Sequence, residues 1–413
     1  MGVHYLFPWI QQFCSECVSV NSGYKSPCVL LFDLNGLLYQ KTDQTPEEAC
    51  EYVMTKVGKK ILDTGAEIAV LALDGVCPKA KRWQQRKRRY LSPLNNHISV
   101  GTDFMKRLDQ EFVKRLEKKR LCKTVYFSGS GAPGEGEHKL VKFIRKFNWD
   151  MPKYIFGIDG DLLILSLLLP QKEIFVIRPV FMKPSLEHFV CIDSLKHYLC
   201  NRFFNIETFV IFSCLLGNDF LPSVEPHDTK EGFEQFLKSF QHVCLVEKSE
   251  ILWHRLGLFE TASEEGQSFA VGAEWFLKYY KQEKDSEKID WYYKHNKRPS
   301  LENIFRPQTY SFSYTGEVEQ SPAFQLFYIL PTSSRHLLPF PLDLIHVETF
   351  TVEVKKRKKR PSWDVDYTIT ENGINLENIY RLLSFYIESE KGRVYTFQGE
   401  KQAWKPSASV KQV

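Results

Sequence analysis

Short apolar runs that end in an acidic residue constrain the fold of this chain more than any other feature. Three such runs each end in an aspartate: residues 28–33, 68–74 and 154–159. Runs of this length, without polar alternation, are typical of strands buried on both faces of a parallel sheet. Segments with helical patterns separate the runs. The sequence therefore predicts an α/β fold built on a parallel sheet.

Acidic residues follow the predicted strands at their carboxyl ends. Asp33 and Asp74 close two of the runs, and Asp159 is followed two residues later by Asp161. An isolated aspartate after a strand is most often a turn residue or a helix cap. The carboxyl ends of parallel strands, however, meet at one edge of a sheet, where functional residues gather. Acids at several strand ends of one sheet therefore favour a shared site.

A glycine-rich turn at residues 131–139 adds two more carboxylates. Glu135 and Glu137 stand two residues apart, after a strand predicted at residues 125–127 and where a helix begins. Enclosed carboxylates repel each other and lose their water, so a cation between them stabilises such a turn. Lys139, in the next turn of the helix, is a secondary candidate for a phosphate contact.

A strongly basic helix is predicted directly after Asp74. Residues 79–89 contain seven basic residues and no acidic one. Four polar side chains share one face of this helix: Lys81, Gln85, Arg88 and Arg89. A basic helical face is most often merely solvated, but the lack of compensating acids favours a bound anion, most simply a phosphate. A second basic helix, at residues 103–123, is expected to be solvated surface or to follow a nucleic-acid backbone.

The second half of the chain carries weaker patterns. Asp219 follows an apolar helix predicted at residues 206–216, and the sequence alone does not place it in the acidic cluster. Residues 263–268 are predicted to form an exposed loop and a boundary. In the aromatic stretch that follows, Trp275 and Tyr279 have the helical spacing of core residues.

Two further features of this half are candidates for nucleic-acid contacts. Trp291 lies near several basic residues and is a candidate platform for base stacking. The basic run from Lys355 to Arg360 fits a nuclear localisation signal, a nucleic-acid contact or a charged hairpin tip.

Other function classes fit the sequence less well. No apolar run approaches the roughly 20 residues of a membrane span. The N-terminus lacks the basic and apolar regions of a secretory signal, so an intracellular location is expected, with the cytoplasm favoured over the nucleus. No P-loop and no Ser-His-Asp order is recognisable. Carboxylates beside a phosphate-binding helix instead suggest phosphodiester hydrolysis assisted by two Mg²⁺ ions, with Mn²⁺ as a substitute.

Successive motifs of this chain resemble those of the Xrn/Rat family of 5′→3′ exoribonucleases. They occur in the family's order through residues 1–225: Gly2-Val3 with Trp9-Ile10, Asp33-Leu-Asn35-Gly36, Asp74-Gly-Val-Cys-Pro-Lys-Ala-Lys81, Gln84-Gln85-Arg86-Lys-Arg88-Arg89, Gly101-Thr-Asp-Phe-Met105, Gly134-Glu-Gly-Glu-His-Lys139, Asp159-Gly-Asp161 and Gly217-Asn-Asp-Phe-Leu-Pro222. Weaker similarity to the family's second conserved region continues to about residue 360: Trp291-Tyr-Tyr, Pro299-Ser300, Phe324-Gln-Leu and Leu330 to Pro339.

The resemblance implies an architecture and an activity. Residues 1–225 would form a parallel-sheet nuclease core, like that of PIN and flap nucleases. Residues 226–413 would form a shortened, α-rich second region that completes the active-site cleft. The implied reaction is processive removal of nucleoside 5′-monophosphates, in RNA decay, from single-stranded RNA that carries a 5′-monophosphate.

The resemblance also implies roles for individual residues. Seven residues match the family's metal-binding and catalytic acids: Asp33, Asp74, Glu135, Glu137, Asp159, Asp161 and Asp219. Four match its 5′-phosphate pocket: Lys81, Gln85, Arg88 and Arg89. Tyr39 stands where the family usually has a histidine that stacks on bases, and a tyrosine ring can stack as well.

Two alternatives remain open at the level of the sequence. A flap-type structure-specific DNA nuclease shares the acidic core, but would need a glycine-rich helix–hairpin element after Gly217-Asn-Asp, where residues 223–240 read differently. A catalytically inactive protein that binds RNA 5′ ends would be expected to have lost some of the seven acids.

Overall fold

The structure is a computed structural model, and it describes residues 2–180, 183–224, 229–256, 263–307, 309–340, 342–345, 350–355, 366–371 and 394–398. The α-helices are α1 Leu6–Phe13, α2 Asn35–Leu38, α3 Pro46–Thr64, α4 Lys79–Leu91, α5 Asp103–Lys118, α6 Gly136–Phe147, α7 Asp161–Leu167, α8 Ile192–Arg202, α9 Ile206–Leu215, α10 Lys230–Phe240, α11 Glu264–Lys281 and α12 Pro322–Ile329. The strands are β1 Val18–Val20, β2 Val29–Asp33, β3 Ile68–Ala72, β4 Thr124–Ser128, β5 Lys153–Phe156, β6 Ile174–Val180, β7 Lys183–Cys191, β8 Val246–Glu247, β9 Glu250–Ile251, β10 Phe350–Lys355, β11 Asp366–Glu371 and β12 Val394–Gln398.

An eight-stranded sheet in the order β1-β7-β6-β5-β2-β3-β4-β12 forms the centre of the fold. Its five middle strands, from β6 to β4, are parallel, which confirms the predicted α/β fold. Antiparallel strands flank them: β7 and β1 on one side and β12 on the other. These edges were not predicted, because strand pairing between distant segments leaves no local pattern.

Side chains of the middle strands are buried on both faces of the sheet. Along β2, Val29 and Leu31 belong to one apolar cluster, whereas Leu30 and Phe32 belong to the cluster on the opposite face. Helices α3 and α5 cover the second face, and α6, α7 and α9 pack on the first. This two-sided burial explains why the strands read as continuous apolar runs.

Helix α11 corrects one expectation from the sequence. Residues 263–268, which the sequence predicts as an exposed loop, form the start of this helix, while the boundary predicted there stays a prediction. The Ser263 hydroxyl caps it by accepting a hydrogen bond from the Gly266 backbone N–H at 3.0 Å. Glu264 and Glu265 then occupy the first turn, where negative charge complements the helix dipole. The polar residues were therefore helix-start residues.

Residues beyond 226 pack directly against the central sheet and its helices. The buried Arg86 of α4 donates from Nε to the Tyr328 carbonyl at 2.8 Å, and the Cys77 backbone N–H donates to Gln325 Oε1 at 2.8 Å. Strand β12 pairs with β4. The division into domains at residue 225 stays a prediction.

The predicted basic run from Lys355 to Arg360 lies mostly outside the described residues. Lys355 ends β10, and residues 356–360 are not among those that the structure describes.

Within the described part of the chain, no helix combines the length and apolar character needed to cross a membrane.

Candidate metal and phosphate site

The predicted acids lie where parallel strands end and helices begin. Asp33 is the last residue of β2, Asp74 follows β3, and Asp159 follows β5. Asp161 begins α7, Glu135 immediately precedes α6 and Glu137 lies in its first turn, while Asp219 lies in the loop after α9. The parallel order of β3, β2 and β5 brings their carboxyl ends side by side.

Gly136 brings two of these carboxylates together. Its backbone N–H donates to Asp74 Oδ1 at 2.7 Å. A Cβ at this position would lie 2.8 Å from Asp33 Oδ1 and 3.3 Å from Asp74 Oδ1. Glycine between Glu135 and Glu137 is therefore required by the close approach of two acids to the helix backbone.

Burial and mutual repulsion raise the pKa values of several acids. Burial, followed by the charge of Asp74, raises the pKa of Asp33 well above its ordinary value. Burial, together with Asp159 and Asp161, does the same for Glu137. The pKa of Asp161 is also raised well above its ordinary value, by burial and then by Asp159. These carboxylates resist ionisation together unless a cation is present.

Lys81 enters the cluster from α4. Its Nζ lies 2.8 Å from Glu135 Oε2 and 3.5 Å from Asp219 Oδ2. Burial alone would lower the pKa of Lys81, but these two acids raise it well above its ordinary value. The contact settles the position that the sequence left open, since it places Asp219 at the acidic cluster.

The other residues of the basic face lie towards the solvent. The Arg88 side chain is 43% exposed, and its Nη2 lies 3.4 Å from Asp219 Oδ2. Gln85 is half-buried on the same face of α4. Arg89 donates from Nη2 to the Tyr39 hydroxyl at 3.1 Å and to the Ile98 carbonyl at 3.2 Å. Asp219 thus joins the basic face to the acidic cluster.

Tyr39 lies at the outer end of this face. Its side chain is 40% exposed, and its hydroxyl also donates to the Ile98 carbonyl at 3.2 Å. The ring is therefore held at one end and accessible to solvent. This position suits the predicted stacking role, which itself stays a prediction.

His138 and Tyr279 are neighbours of the cluster that the sequence did not single out as site residues. The ligand atoms of Glu135, Glu137 and His138 lie within 4.8 Å of one another. Burial lowers the pKa of His138 well below its ordinary value, so the imidazole is neutral and suited to a metal. The Tyr279 ring stacks on His138 with centroids 4.0 Å apart, and its hydroxyl donates to Glu135 Oε1 at 2.7 Å.

Two predicted contact residues are buried instead. Lys139 donates from Nζ to the Leu73 carbonyl at 2.7 Å and to the Gly129 carbonyl at 2.8 Å, so it ties together the ends of β3 and β4. Trp291 is only 7% exposed and packs against Trp275. These positions correct both expectations, because a phosphate contact or a stacking ring must be accessible.

The residues at this site match a known family of nucleases. The family model described as the N-terminus of XRN 5′-3′ exonucleases matches residues 1–95 and 93–180. Over this range the chain is similar to the XRN 5′-3′ exonucleases. Six of the seven acids and the whole basic face lie in the matched range, and Asp219 lies beyond it.

The similarity to curated exoribonucleases extends beyond the range of the family model. The 5′-3′ exoribonuclease 1 of Saccharomyces cerevisiae is 27% identical over 73% of this chain, and that of Schizosaccharomyces pombe is 25% identical over 56%. The Homo sapiens protein of the same name is 24% identical over 55%. The chain spans about a quarter or less of the length of these relatives, namely 24%, 23% and 18%.

Solved nuclease structures align with this chain at lower similarity. The catalytic core of Rad2 in complex with a DNA substrate aligns at a TM-score of 0.41 and 14% identity, covering 83% of this chain and 96% of that one. The T5 D15 flap endonuclease bound to DNA and metal ions aligns at a TM-score of 0.32 and 11% identity, covering 52% of this chain and 75% of that one.

The acidic cluster fits divalent cations. Both carboxylate oxygens of Asp161 are buried and lack a hydrogen-bond partner among the described residues. Oxygen ligands from several carboxylates are what Mg²⁺ and Mn²⁺ prefer. Since burial and repulsion oppose ionisation of Asp33, Glu137 and Asp161, bound cations would stabilise their charged forms.

Proposed function

We propose that this protein is a metal-dependent 5′→3′ exoribonuclease that hydrolyses 5′-monophosphorylated single-stranded RNA to nucleoside 5′-monophosphates. One observation carries the proposal: Lys81, on the basic face of α4, reaches Glu135 and Asp219 in the acidic cluster. A phosphate held by the basic face would therefore lie beside the carboxylates. The names of the curated relatives support the same activity.

Two divalent cations, Mg²⁺ by preference, are proposed to bind the seven acids, with His138 as an added candidate ligand. When bound, such ions activate a water molecule and stabilise the leaving oxygen of a phosphodiester. The contribution of the protein is to hold the carboxylates in place. The Gly136 N–H fixes Asp74, and the Tyr279 hydroxyl and the Lys81 ammonium fix Glu135.

The basic face of α4 is proposed to bind the 5′-phosphate. Arg88 is exposed and carries a guanidinium whose planar donors match two phosphate oxygens. Gln85 presents an amide from the same face, while Arg89 and Tyr39 hold each other at its outer end. Lys81 supplies a positive charge between this face and the acids.

This arrangement gives a physical reason for specificity towards the end of a strand. We call the basic face of α4, with Lys81, Gln85, Arg88 and Arg89, the phosphate clamp. Because the clamp is fixed, it sets the distance from the 5′ end to the bond that faces the acids, so each cut removes one nucleotide. A 5′-hydroxyl end would lose the charged contact. A cap would place additional atoms where the clamp holds a single phosphate.

Cleavage of RNAs that differ only at the 5′ end tests the proposal. With Mg²⁺, we expect rapid loss of a 5′-monophosphorylated strand and little loss of 5′-hydroxyl and capped strands. Arg88→Met should reduce this preference at least tenfold, whereas Arg107→Met, which removes an exposed arginine of α5, should retain it. Equal cleavage of all three ends would contradict the phosphate clamp.

The same assay on DNA of equal sequence tests the choice of nucleic acid. We expect RNA to be the better substrate, and a preference for branched DNA would instead favour a flap-type nuclease. Binding of 5′ ends without cleavage at any divalent metal would favour an inactive end-binding protein. From the proposed substrate we also propose a role in RNA decay inside the cell, with the cytoplasm favoured over the nucleus.

A further inference from the structure

A groove with a basic rim lies on the side of α4 that does not carry the phosphate clamp. Trp83, Gln84 and Lys87 of α4 form one wall, and the loops at residues 218–222 and 293–298 form the rest. The cavity between them has a volume of about 260 Å³. It is large enough for a phosphate with its flanking sugar atoms.

Cationic side chains dominate the lining of this groove. Lys87, Lys294, Lys297 and Arg298 line it, and Asp219 is the single acid among the described residues that does so. Lys294, Lys297 and Arg298 are exposed, and within the described residues none of these three makes an ion pair. Their charges are therefore available to an anion.

Buried polar atoms of the groove also lack partners. Gln84 is only 8% exposed, yet its Oε1 has no hydrogen-bond partner within the described part of the chain. His295, which lines the groove from the opposite loop, has a buried Nε2 that likewise has no hydrogen-bond partner among the described residues. A buried polar group without a partner costs free energy, so both side chains favour a polar ligand in the groove.

The groove and the acidic cluster share a wall. Asp219 lines the groove, and its Oδ2 lies 3.5 Å from Lys81 Nζ and 3.4 Å from Arg88 Nη2. A strand whose 5′-phosphate lies at Arg88 can therefore reach the groove around Asp219. The clamp holds the end of the strand, and the groove offers cations to a phosphate elsewhere in the same strand.

We propose that this groove is a second phosphate site, which binds an internal phosphodiester of the single-stranded substrate. The inference rests on the proposed function, because it takes the substrate to be a polynucleotide. Lys294, Lys297 and Arg298 neutralise the phosphate, and Gln84 and His295 offer hydrogen bonds to the adjoining ribose. Trp83 and Tyr293 give the groove aromatic walls.

Binding of a 5′-hydroxyl RNA oligonucleotide, measured by fluorescence anisotropy in EDTA, isolates this site from the clamp and from cleavage. A variant combining Lys294→Ser, Lys297→Ser and Arg298→Ser should bind roughly tenfold or more weakly at low salt. Its slope of log Kd against log salt should fall by about 0.7, since one lost phosphate contact on a single strand removes about that much. A matched variant, with Lys25→Ser, Lys59→Ser and Lys146→Ser, removes the same charge from exposed positions outside the groove and should bind like the wild type.

The outcomes separate the groove from the proposed function. Unchanged affinity and salt slope in the groove variant would overturn the second site. The second site would also be rejected if the variant loses only affinity for a nucleoside monophosphate, which would make the groove a product site. In cleavage assays the groove variant should keep its preference for 5′-monophosphate ends. If the wild type shows no preference for 5′-monophosphate ends, the phosphate clamp is rejected. The binding result with the 5′-hydroxyl strand would still test the groove, because that strand carries no 5′-phosphate.

Discussion

Lys81 Nζ lies 2.8 Å from Glu135 Oε2, and both side chains are only 6% exposed. A buried ion pair is weak support for stability while it is intact, but removal of one partner leaves an uncompensated buried charge. Lys81 therefore supplies part of the positive charge that the acidic cluster needs. Its role in structure and its role in phosphate binding are separable by experiment.

Lys81→Met should destabilise the metal-free protein. Removal of the ammonium leaves Glu135 and Asp219 without their buried cation, so we expect a loss on the order of 3–5 kcal/mol. Thermal unfolding in EDTA and in Mg²⁺ measures it, and Mg²⁺ should raise the Tm of this variant more than that of the wild type. Lys79→Met is the control, since Lys79 pairs with Asp290 at a more exposed position. Equal Tm values in EDTA would show that Lys81 does not stabilise the cluster.

Asp161→Asn should abolish cleavage and stabilise the metal-free protein increasingly as pH rises. The pKa of Asp161 is raised by burial and by Asp159, so the folded state holds this proton more tightly than the unfolded chain. Stability is therefore lost as pH rises above about 4, the ordinary pKa of an aspartate, towards the raised value. The asparagine does not titrate and escapes that loss.

Unfolding of Asp161→Asn and the wild type between pH 4 and pH 8 measures the effect. In EDTA the difference in Tm should widen with pH, and Mg²⁺ should narrow it by stabilising the wild type. Asp150→Asn, at an exposed position outside the cluster, is the matched control. A difference in Tm that is constant with pH would contradict the raised pKa.

The strand-end acids could be predicted because their pattern is local. An apolar run and the acid that follows it are adjacent in sequence, and the parallel order of strands then brings Asp33, Asp74 and Asp159 together. The start of α6 was likewise visible in the glycines around Glu135. Contacts between distant segments were not visible in this way. Asp219 reaches the cluster only because the loop after α9 lies beside Lys81 and Arg88 of α4, which no local pattern records.

Two of the incorrect predictions concern residues whose burial depends on other parts of the chain. Lys139 resembles a phosphate ligand until its ammonium is seen to bind two backbone carbonyls. Trp291 resembles a stacking platform until it is seen against α11, where Gly272 leaves room for its ring because a Cβ there would collide with it. In both cases burial was decided by a chain segment that the sequence does not place.

Tyr279→Phe should weaken metal-dependent cleavage without unfolding the protein. The change removes the hydroxyl that donates to Glu135 Oε1 and keeps the ring that stacks on His138. A hydrogen bond to a charged group contributes about 1.5–3 kcal/mol, so we expect roughly a tenfold or larger loss in single-turnover rate. The Mg²⁺ concentration for half-maximal rate should rise as well.

The matched control for this change is Tyr154→Phe. Tyr154 is also buried, and its hydroxyl accepts a hydrogen bond from the Lys25 backbone N–H at 2.9 Å, outside the acidic cluster. Its loss should lower the Tm and leave the Mg²⁺ dependence unchanged. Similar Mg²⁺ dependence in both variants would show that the contact with Glu135 has no part in binding metal.

Substitutions of Tyr39 distinguish stacking from hydrogen bonding. The ring is exposed, while its hydroxyl contacts Arg89 and the Ile98 carbonyl. If bases stack on the ring, Tyr39→Phe should keep most of the affinity for 5′-monophosphorylated RNA, and Tyr39→Ala should lose about 1–3 kcal/mol. Trp291→Phe should instead lower the Tm and leave RNA affinity near that of the wild type, because Trp291 is packed in the core. Equal losses in Tyr39→Phe and Tyr39→Ala would assign the effect to the hydroxyl, which positions Arg89.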